Sequence, residues 1–470
     1  MSVTLVLDVG STSVKGILLK KGVLCASKSV EISTKRNTKG EVTQQPEDWW
    51  KAVQAICDHW KTEKTALLQQ VANITFSGQM QDVIMLGVNP VPPAILYSDG
   101  RAEAEAAFIE CTCGPLFSSI RNELDGTAPF AKMLWLARHK PALYHTCQAF
   151  GFSAKDYLIY QMTGRATTDV TTASTTGMYH LERGDWLREE LQAVGIDAGK
   201  LPPLRRADEV AGELGEEVAQ RLHLPPGISV FVGAGDAGAT TLAAGLTATD
   251  QMYMYLGTTG WIGYTTDVAP KKADGTFTLA HPTKAGYIRV APLLNVGSAV
   301  QWAADLFFDG DVEAFNETAQ TSTPGAEGLL FLPYLGGERC PVRDPEAKGL
   351  LVGLSYSTTK AQIARAVLEG VAFAFRQARE LLGDLSQERV PVLGGGGRSP
   401  LFTQVLAEVL DVELHVRENS EYLAAEGMSW EAGAHTALDS FVVKPNPAHQ
   451  TVYRESYERF KRLYPAFSEL

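Results

Sequence analysis

One pattern occurs twice and constrains the fold more than any other: an apolar strand, a turn of glycine and hydroxyl residues, and a second strand. At the start, Val3–Leu7 is a continuous apolar run, Asp8-Val9-Gly10-Ser11-Thr12-Ser13 is turn chemistry, and Val14–Leu19 resumes the strand. After Gly245, Met252–Leu256 leads into Gly257-Thr258-Thr259-Gly260, and Trp261–Tyr264 continues beyond it. An unbroken apolar run suits a strand covered on both faces, and two strands around a polar turn make a hairpin. The chain therefore reads as two related halves joined near Gly245. The predicted domains are 1–245 and 246–440, with a helical tail over 441–470 packed across the surface. A length of 470 residues fits two cores better than one. Helical stretches such as Trp49–Trp60, opened by Gln45-Pro46-Glu47-Asp48, and Lys132–His139 alternate with strands such as Asn73–Phe76. That alternation is α/β character.

Composition narrows the partners. The formal net charge of −12 argues against a nucleic-acid partner held by a basic surface, and leaves a few local cations free to hold a polyphosphate. The opening Met1-Ser2-Val3 has no basic segment and an acid follows at Asp8, so no signal peptide is expected. The most apolar stretch, Ile228–Leu246, is broken by Gly233, Gly235, Asp236 and Gly238, which predicts strand, turn and helix rather than a membrane span. Six scattered cysteines make no disulfide framework, and Cys111-x-Cys113 lacks the second pair a zinc site needs. A cytoplasmic chain with reduced thiols and no membrane contact is expected. The nine histidines have no metal-ligand spacing and the eight tryptophans read as packing.

Four turns could carry chemistry, and none is a P-loop. Asp8–Ser13 places an acid and hydroxyls after a buried strand, as a Mg²⁺-nucleotide site would, with Lys15 nearby; a plain polar hairpin turn fits this segment equally well. Gly233-Ala234-Gly235-Asp236-Ala237-Gly238 follows the strand Ile228–Val232 and matches the dinucleotide fingerprint. That reading needs an acid ending the next strand, and Met252–Leu256 ends in Gly257-Thr258-Thr259 instead. Glycines flanking a lone aspartate rather leave its carboxylate exposed at a strand end, as a general base requires. Leu256–Gly260 offers threonine hydroxyls and amides to a second phosphate. The run Gly394-Gly395-Gly396-Gly397-Arg398-Ser399-Pro400, entering a helix, lets a flat ring or phosphate approach the backbone.

With these residues on view, the chain resembles the FGGY carbohydrate kinases, and most of all their xylulokinase branch. The resemblance runs from Asp8 to about Leu438. It is carried by LDVGSTSVKG (7–16), QPEDWW (45–50), SGQMQ (77–81), YSDGRA (97–102), APFAKMLWL (128–136), KDYLIYQMTGRATTDVTTAS (155–174), GAGDAGAT (233–240), LGTTG (256–260), NVGSAVQW (295–302), FLPYLGGERCPVRDPEAKGLLVGLS (331–355) and GGGGRSPLFTQVLAEVL (394–410). The resemblance implies an actin-like, ribonuclease-H-like two-domain fold with ATP, Mg²⁺ and a small sugar or polyol in the cleft. It implies Asp236 as the base that takes the proton from the attacking hydroxyl, with Asp8 beside Mg²⁺ and the γ-phosphate. Both carboxylates are the expected metal contacts. Ser11, Thr12, Lys15, Thr258 and Thr259 are implied around the phosphates, and Gly297, Gln301, Gly395, Gly396 and Ser399 beside the nucleotide. Met80, Gln81, Asp99, Arg101 and Asp236 are implied on the sugar side. The family leaves a homodimer open.

Departures bear on the acceptor. Xylulokinases carry His where this chain has Gln81, and often Asn where it has Ala237, which cannot hydrogen-bond. These differences predict D-xylulose as a secondary substrate beside another small ketose or polyol such as ribulose or erythritol. Glycerol is disfavoured, because glycerol kinases would put Arg-Glu at 80 and 81. Glu426-Gly427-Met428-Ser429 replaces the usual Gly-Ala-Ala near the nucleotide. The stretch Thr167–Thr176 reads as a solvated loop with a strand. A non-catalytic ATP- and sugar-binding sensor is the competing reading, opposed by the presence of both Asp8 and Asp236; a dinucleotide oxidoreductase ranks third.

Overall fold

A computed structural model describes residues 2–246, 248–383, 387, 389–417, 422–429 and 440–468. The opening apolar run forms β1 (Val3–Val9), nearly all of it buried, and the hairpin continues through β2 (Ser13–Lys20) and β3 (Val23–Glu31). Helix α1 (Pro46–Glu63) has proline at its first position and Glu47 and Asp48 in its first turn, where the helix dipole favours them. It buries Trp49, Val53, Ile56 and Trp60 against this sheet, each such side chain contributing about 1.5–3 kcal/mol. β4 (Val71–Gly78) then runs parallel to β1. Helix α2 (Ala154–Thr163) is closed at its start by a capping box of Ser153 and Asp156. β5 (Val210–Glu213) and β6 (Ser229–Phe231) complete the sheet in the order β5-β6-β4-β1-β2-β3, and α3 (Asp236–Ala243) follows.

The second half repeats this plan. β7 (Gln251–Leu256) and β8 (Gly260–Thr266) form the second hairpin, joined by β9 (Phe277–Ala280) and β10 (Tyr287–Leu293). Helices α4 (Gly297–Phe307) and α5 (Lys360–Leu382) precede β11 (Arg389–Leu393), and α6 (Pro400–Leu410) precedes β12 (Glu413–Arg417). The sheet order is β9-β10-β8-β7-β11-β12-β13, where β13 is Ser440–Val443. In each lobe the hairpin strands are antiparallel, while the first strand and the two beyond it run parallel: β1, β4 and β6, then β7, β11 and β12. Two copies of this order are the actin-like, ribonuclease-H-like architecture.

Two expectations change. The final residues are not a separate surface tail. β13 pairs with β12, and the helix Gln450–Phe460 packs Tyr453, Tyr457 and Phe460 into the second core beside Phe373. There Tyr453 accepts a hydrogen bond from Arg365 at 2.5 Å and donates to Glu369 at 3.1 Å. The stretch 167–176 is not a solvated loop either, for Thr168, Asp169, Thr171, Thr172 and Thr176 are fully buried. Most of its hydroxyls are bonded inside, Thr168 being the exception: Thr171 donates to the Ala280 carbonyl at 2.9 Å, and Ser174 accepts from the Ala280 amide at 2.9 Å. Met428 packs against the first lobe. It is buried with Val6, Ile17 and Ala239 where the helix Leu423–Gly427 crosses onto the first lobe. Among the described residues no helix is long and apolar enough to cross a membrane, and all six cysteines are free.

Candidate active site

The two hairpin turns face one cleft, and Asp8 and Asp236 share its first cavity of about 400 Å³. Asp8 sits near the end of β1, opposite Lys15 on β2 and Ser77 on β4. The Gly10 amide donates to the Ser13 carbonyl at 3.0 Å, closing the turn. The Ser11 carbonyl accepts from Gln44 at 2.7 Å and Thr34 at 3.1 Å, which anchors the turn to the body of the lobe. Ser11, Thr12 and Lys15 line the same cavity. Burial pushes the Asp8 carboxyl above its usual range, and the Lys15 ammonium pulls it back.

Asp236 owes its place to glycines. Gly233 has φ +67°, and a Cβ there would lie 2.1 Å from the Phe76 carbonyl oxygen; at Gly235 it would lie 2.0 Å from Met80 Sδ. The chain can make this turn against β4 only without side chains. Asp236 then starts α3, with Oδ1 accepting from the Ala237 amide at 2.7 Å. Asp236 lines the cavity and is exposed into it, with the protein walls of the cleft around it. Burial raises its pKa to about 6; the Ala237 N–H opposes this, and the charges of Asp8 and Asp169 add to it.

Met80 and Gln81 form the opposite wall with Tyr97 and Trp261. Gln81 has φ +67°, in the left-handed region, where the strand Met80–Leu86 slips register against Ala149–Ser153. Gln79 also lines the cavity. Its amide donates to Gln44 at 3.0 Å, while its buried Oε1 has no partner in the protein. Local patterning does not mark Gln79, Tyr97 or Trp261 as cavity residues; the available signal is the Gly260-Trp261 step, an aromatic set directly after the second glycine- and threonine-rich turn. Asp99 and Arg101 are placed differently from expectation. They pair with each other through two bonds of 2.8 and 2.6 Å, Asp99 also accepts from the Val42 amide at 2.5 Å, and neither lines the cavity. Burial works against the Asp99 charge, but Arg101 and the Val42 N–H outweigh it and hold the carboxyl below its usual range. Ala237 packs with Met80, Trp261 and Phe277 against Ile288, off the cavity wall.

A second cavity of about 630 Å³ brings together Gly297, Gln301, Gly395, Gly396 and Ser399. The Ser399 hydroxyl caps α6 by accepting from the Phe402 amide and donates to Asn316 at 2.8 Å. The turn between β7 and β8 joins the two spaces. Tyr255 and Trp261 line the first and Gly257 the second, with Thr258 and Thr259 exposed at its tip. The Thr258 carbonyl accepts from the Ser298 amide at 3.0 Å, tying the turn to the start of α4.

A buried cluster of charge, which the motif at 155–174 does not by itself reveal, lies beneath Asp236. Lys155 is wholly buried and bonds Asp156 at 2.8 Å and Asp169 at 2.9 Å. Asp169 caps the turn at Thr172, whose hydroxyl donates to it at 2.6 Å and lies against Gly235.

Twin ribonuclease-H-like lobes, a carboxylate from each of two glycine-rich turns, and a second cavity beyond the hairpin define a phosphotransferase of the actin-like class. Residues 3–243 match the N-terminal domain, and residues 252–428 the C-terminal domain, of the FGGY family of carbohydrate kinases. The chain belongs to that family and is an ATP-dependent carbohydrate kinase. It is 30% identical over 499 residues to a xylulose kinase of Lactococcus lactis subsp. lactis (strain IL1403), covering 100% of this chain and 98% of that protein. Ligand-bound xylulose kinase from Lactobacillus acidophilus superposes with a TM-score of 0.90 at 26% identity, over 100% of this chain and 99% of the other. Gluconate kinase from the same organism superposes with a TM-score of 0.89 at 26% identity, over 99% and 98%.

Proposed function

We propose that the first cavity takes a small ketose or polyol, that the second takes the adenosine of ATP, and that Asp236 is the general base. The observation carrying this is the Asp236 carboxylate, raised to about 6 and sharing one cavity with Asp8, Met80 and Gln81. A base with that pKa is ionised at neutral pH and still basic enough to draw a proton from a hydroxyl as the oxygen attacks. The acceptor oxygen forms its bond to the γ-phosphorus as the bond to the ADP oxygen breaks, and the hydroxyl proton passes to Asp236. Lys15 with the hydroxyls of Ser11 and Thr12 binds the transferring phosphoryl from the first turn, and Thr258 and Thr259 hold the chain of phosphates from the second. Gly297, Gln301, Gly395, Gly396 and Ser399 seat the nucleoside. Met80 and Gln81 orient the sugar, and Asp99 with Arg101 acts behind that wall by fixing the Val42 backbone.

The carboxylates of Asp8 and Asp236 with the neighbouring hydroxyls of Ser11 and Thr12 would hold a Mg²⁺ ion, which favours oxygen donors. Asp8 and Asp236 are each pushed toward protonation by burial, a strain a cation relieves. When bound, the ion supplies charge neutralisation on the polyphosphate.

The test is ADP release from ATP in the presence of D-xylulose, D-ribulose, erythritol, glycerol and gluconate in turn. D-Xylulose leads the panel because relatives across the full length carry that name. Stimulation by a ketose or tetritol well above the sugar-free rate is expected. Equal, unstimulated ADP release with every acceptor would refute the reading.

A further inference from the structure

Among the buried lysines that the mechanism does not use, one lies against the acceptor side of the cleft. Lys132 lies mid-way along the helix Pro129–His139 and is fully buried. Its ammonium donates to the Leu96 carbonyl at 2.7 Å and to the Gln81 carbonyl at 3.3 Å. These acceptors belong to two separate segments, and Gln81 and the residue after Leu96, Tyr97, both line the sugar cavity. Asp82 is also fully buried and accepts from the Tyr97 amide at 3.2 Å, while its second oxygen has no partner in the protein. Lysine and aspartate therefore hold the same two segments from behind.

Gln81 explains why such a device is needed. Its φ of +67° is uncommon for a residue other than glycine and persists only where surroundings over-determine it. The register slip between Met80 and Ile84 takes Gln81 out of the regular ladder, so its carbonyl needs another donor. A methionine at 132 would fill similar volume without a desolvated charge; what the ammonium adds is hydrogen bonds to these carbonyls. We propose that Lys132, backed by Asp82, is a positioning residue for acceptor recognition. It fixes the Gln81 and Leu96 carbonyls so that the Gln81 side chain and the Tyr97 ring face the sugar. The proposal rests on the reading of the first cavity as the acceptor site.

Burial lowers the Lys132 pKa to about 8, against the pull of Asp82, Asp99 and Asp125 and with a small push from Arg101. The hold on Gln81 therefore weakens as pH rises through that value.

The experiment measures KM for D-xylulose and for ATP, with kcat, in the full-length enzyme and in Lys132→Met, Lys132→Arg and Gln81→Ala. Lys132→Met is expected to raise the D-xylulose KM about tenfold or more, the loss of a charge-assisted hydrogen bond, with the ATP KM changed by less than about twofold. Lys132→Arg restores part of the loss. In the wild type the D-xylulose KM rises above pH 8 while the ATP KM stays flat, a readout that needs no variant to fold. Equal changes in both KM values, or a D-xylulose KM flat to high pH, would overturn the proposal. If Gln81→Ala raises the D-xylulose KM and Lys132→Met does not, positioning fails and the cavity reading stands. If Gln81→Ala also has no effect, the cavity reading falls with it.

Discussion

Acid should loosen the contact between the lobes through His281. This residue follows β9 and is 2% exposed, with Nε2 lacking a partner in the protein and Nδ1 accepting from the Thr283 amide at 3.3 Å. Its neighbours tie the lobes together: the Pro282 carbonyl accepts from the Ala207 amide at 2.9 Å and the Thr283 carbonyl from Arg206 at 2.8 Å. Burial, with the charges of Lys284 and Arg206 acting in the same direction, lowers the His281 pKa from 6.5 to about 4. A pKa depressed in the folded state gives stability that is complete above the unfolded value and lost as pH falls toward the folded value. At about 1.4 kcal/mol per unit, the term is nearly whole at pH 7, about 2 kcal/mol is gone at pH 5, and about 3 kcal/mol is gone below pH 4. His281→Asn keeps an acceptor for the Thr283 amide and does not titrate. Urea unfolding of both proteins at pH 7 and pH 5 isolates the term, because other groups cancel in the difference. The wild type should lose about 2 kcal/mol more than the variant between those pH values. Equal losses would refute the reasoning.

Asp8→Ala should abolish Mg²⁺-dependent ADP release while calorimetry shows D-xylulose binding unchanged, since this carboxylate faces phosphate rather than sugar. Lys155→Met strands Asp156 and Asp169 without a counter-charge and should lower the unfolding free energy by about 3–5 kcal/mol, read from denaturant midpoints. Gln81→His should raise kcat/KM for D-xylulose relative to the best alternative acceptor by about tenfold, one buried hydrogen bond's worth, measured across the same panel. Ala237 lies off the wall, so Gln81 alone carries that prediction.

What the sequence makes legible is local. The hairpins at Val3–Lys20 and Gln251–Thr266 and the glycine turn before Asp236 are written in neighbouring residues, because strand runs and turn chemistry act over short spans. Buried polar residues are not written that way. Thr171–Thr176 looks hydrophilic, yet its hydroxyls bond back within the turn and to Ala280, more than a hundred positions on. Lys132 and Lys155 look like surface lysines until partners such as Leu96 and Asp169 are brought beside them. Tyr453 looks like a tail residue until Arg365 and Glu369 meet it. Trp261 reads as packing because periodicity cannot tell a cavity wall from a core. Asp99 and Arg101 belong to a matched motif, but a motif does not say that their charges will be spent on each other.

The central claim is that Asp236 takes the proton from the acceptor hydroxyl, and Asp236→Asn with single-turnover ADP formation tests it most directly. The amide keeps the shape of the turn and its contact with the Ala237 amide, so calorimetric binding of ATP and of acceptor should remain near wild type. The rate of phosphoryl transfer should fall by about 10²–10⁴, the usual share of a general base. Transfer at close to the wild-type rate, with both substrates bound, would contradict the account.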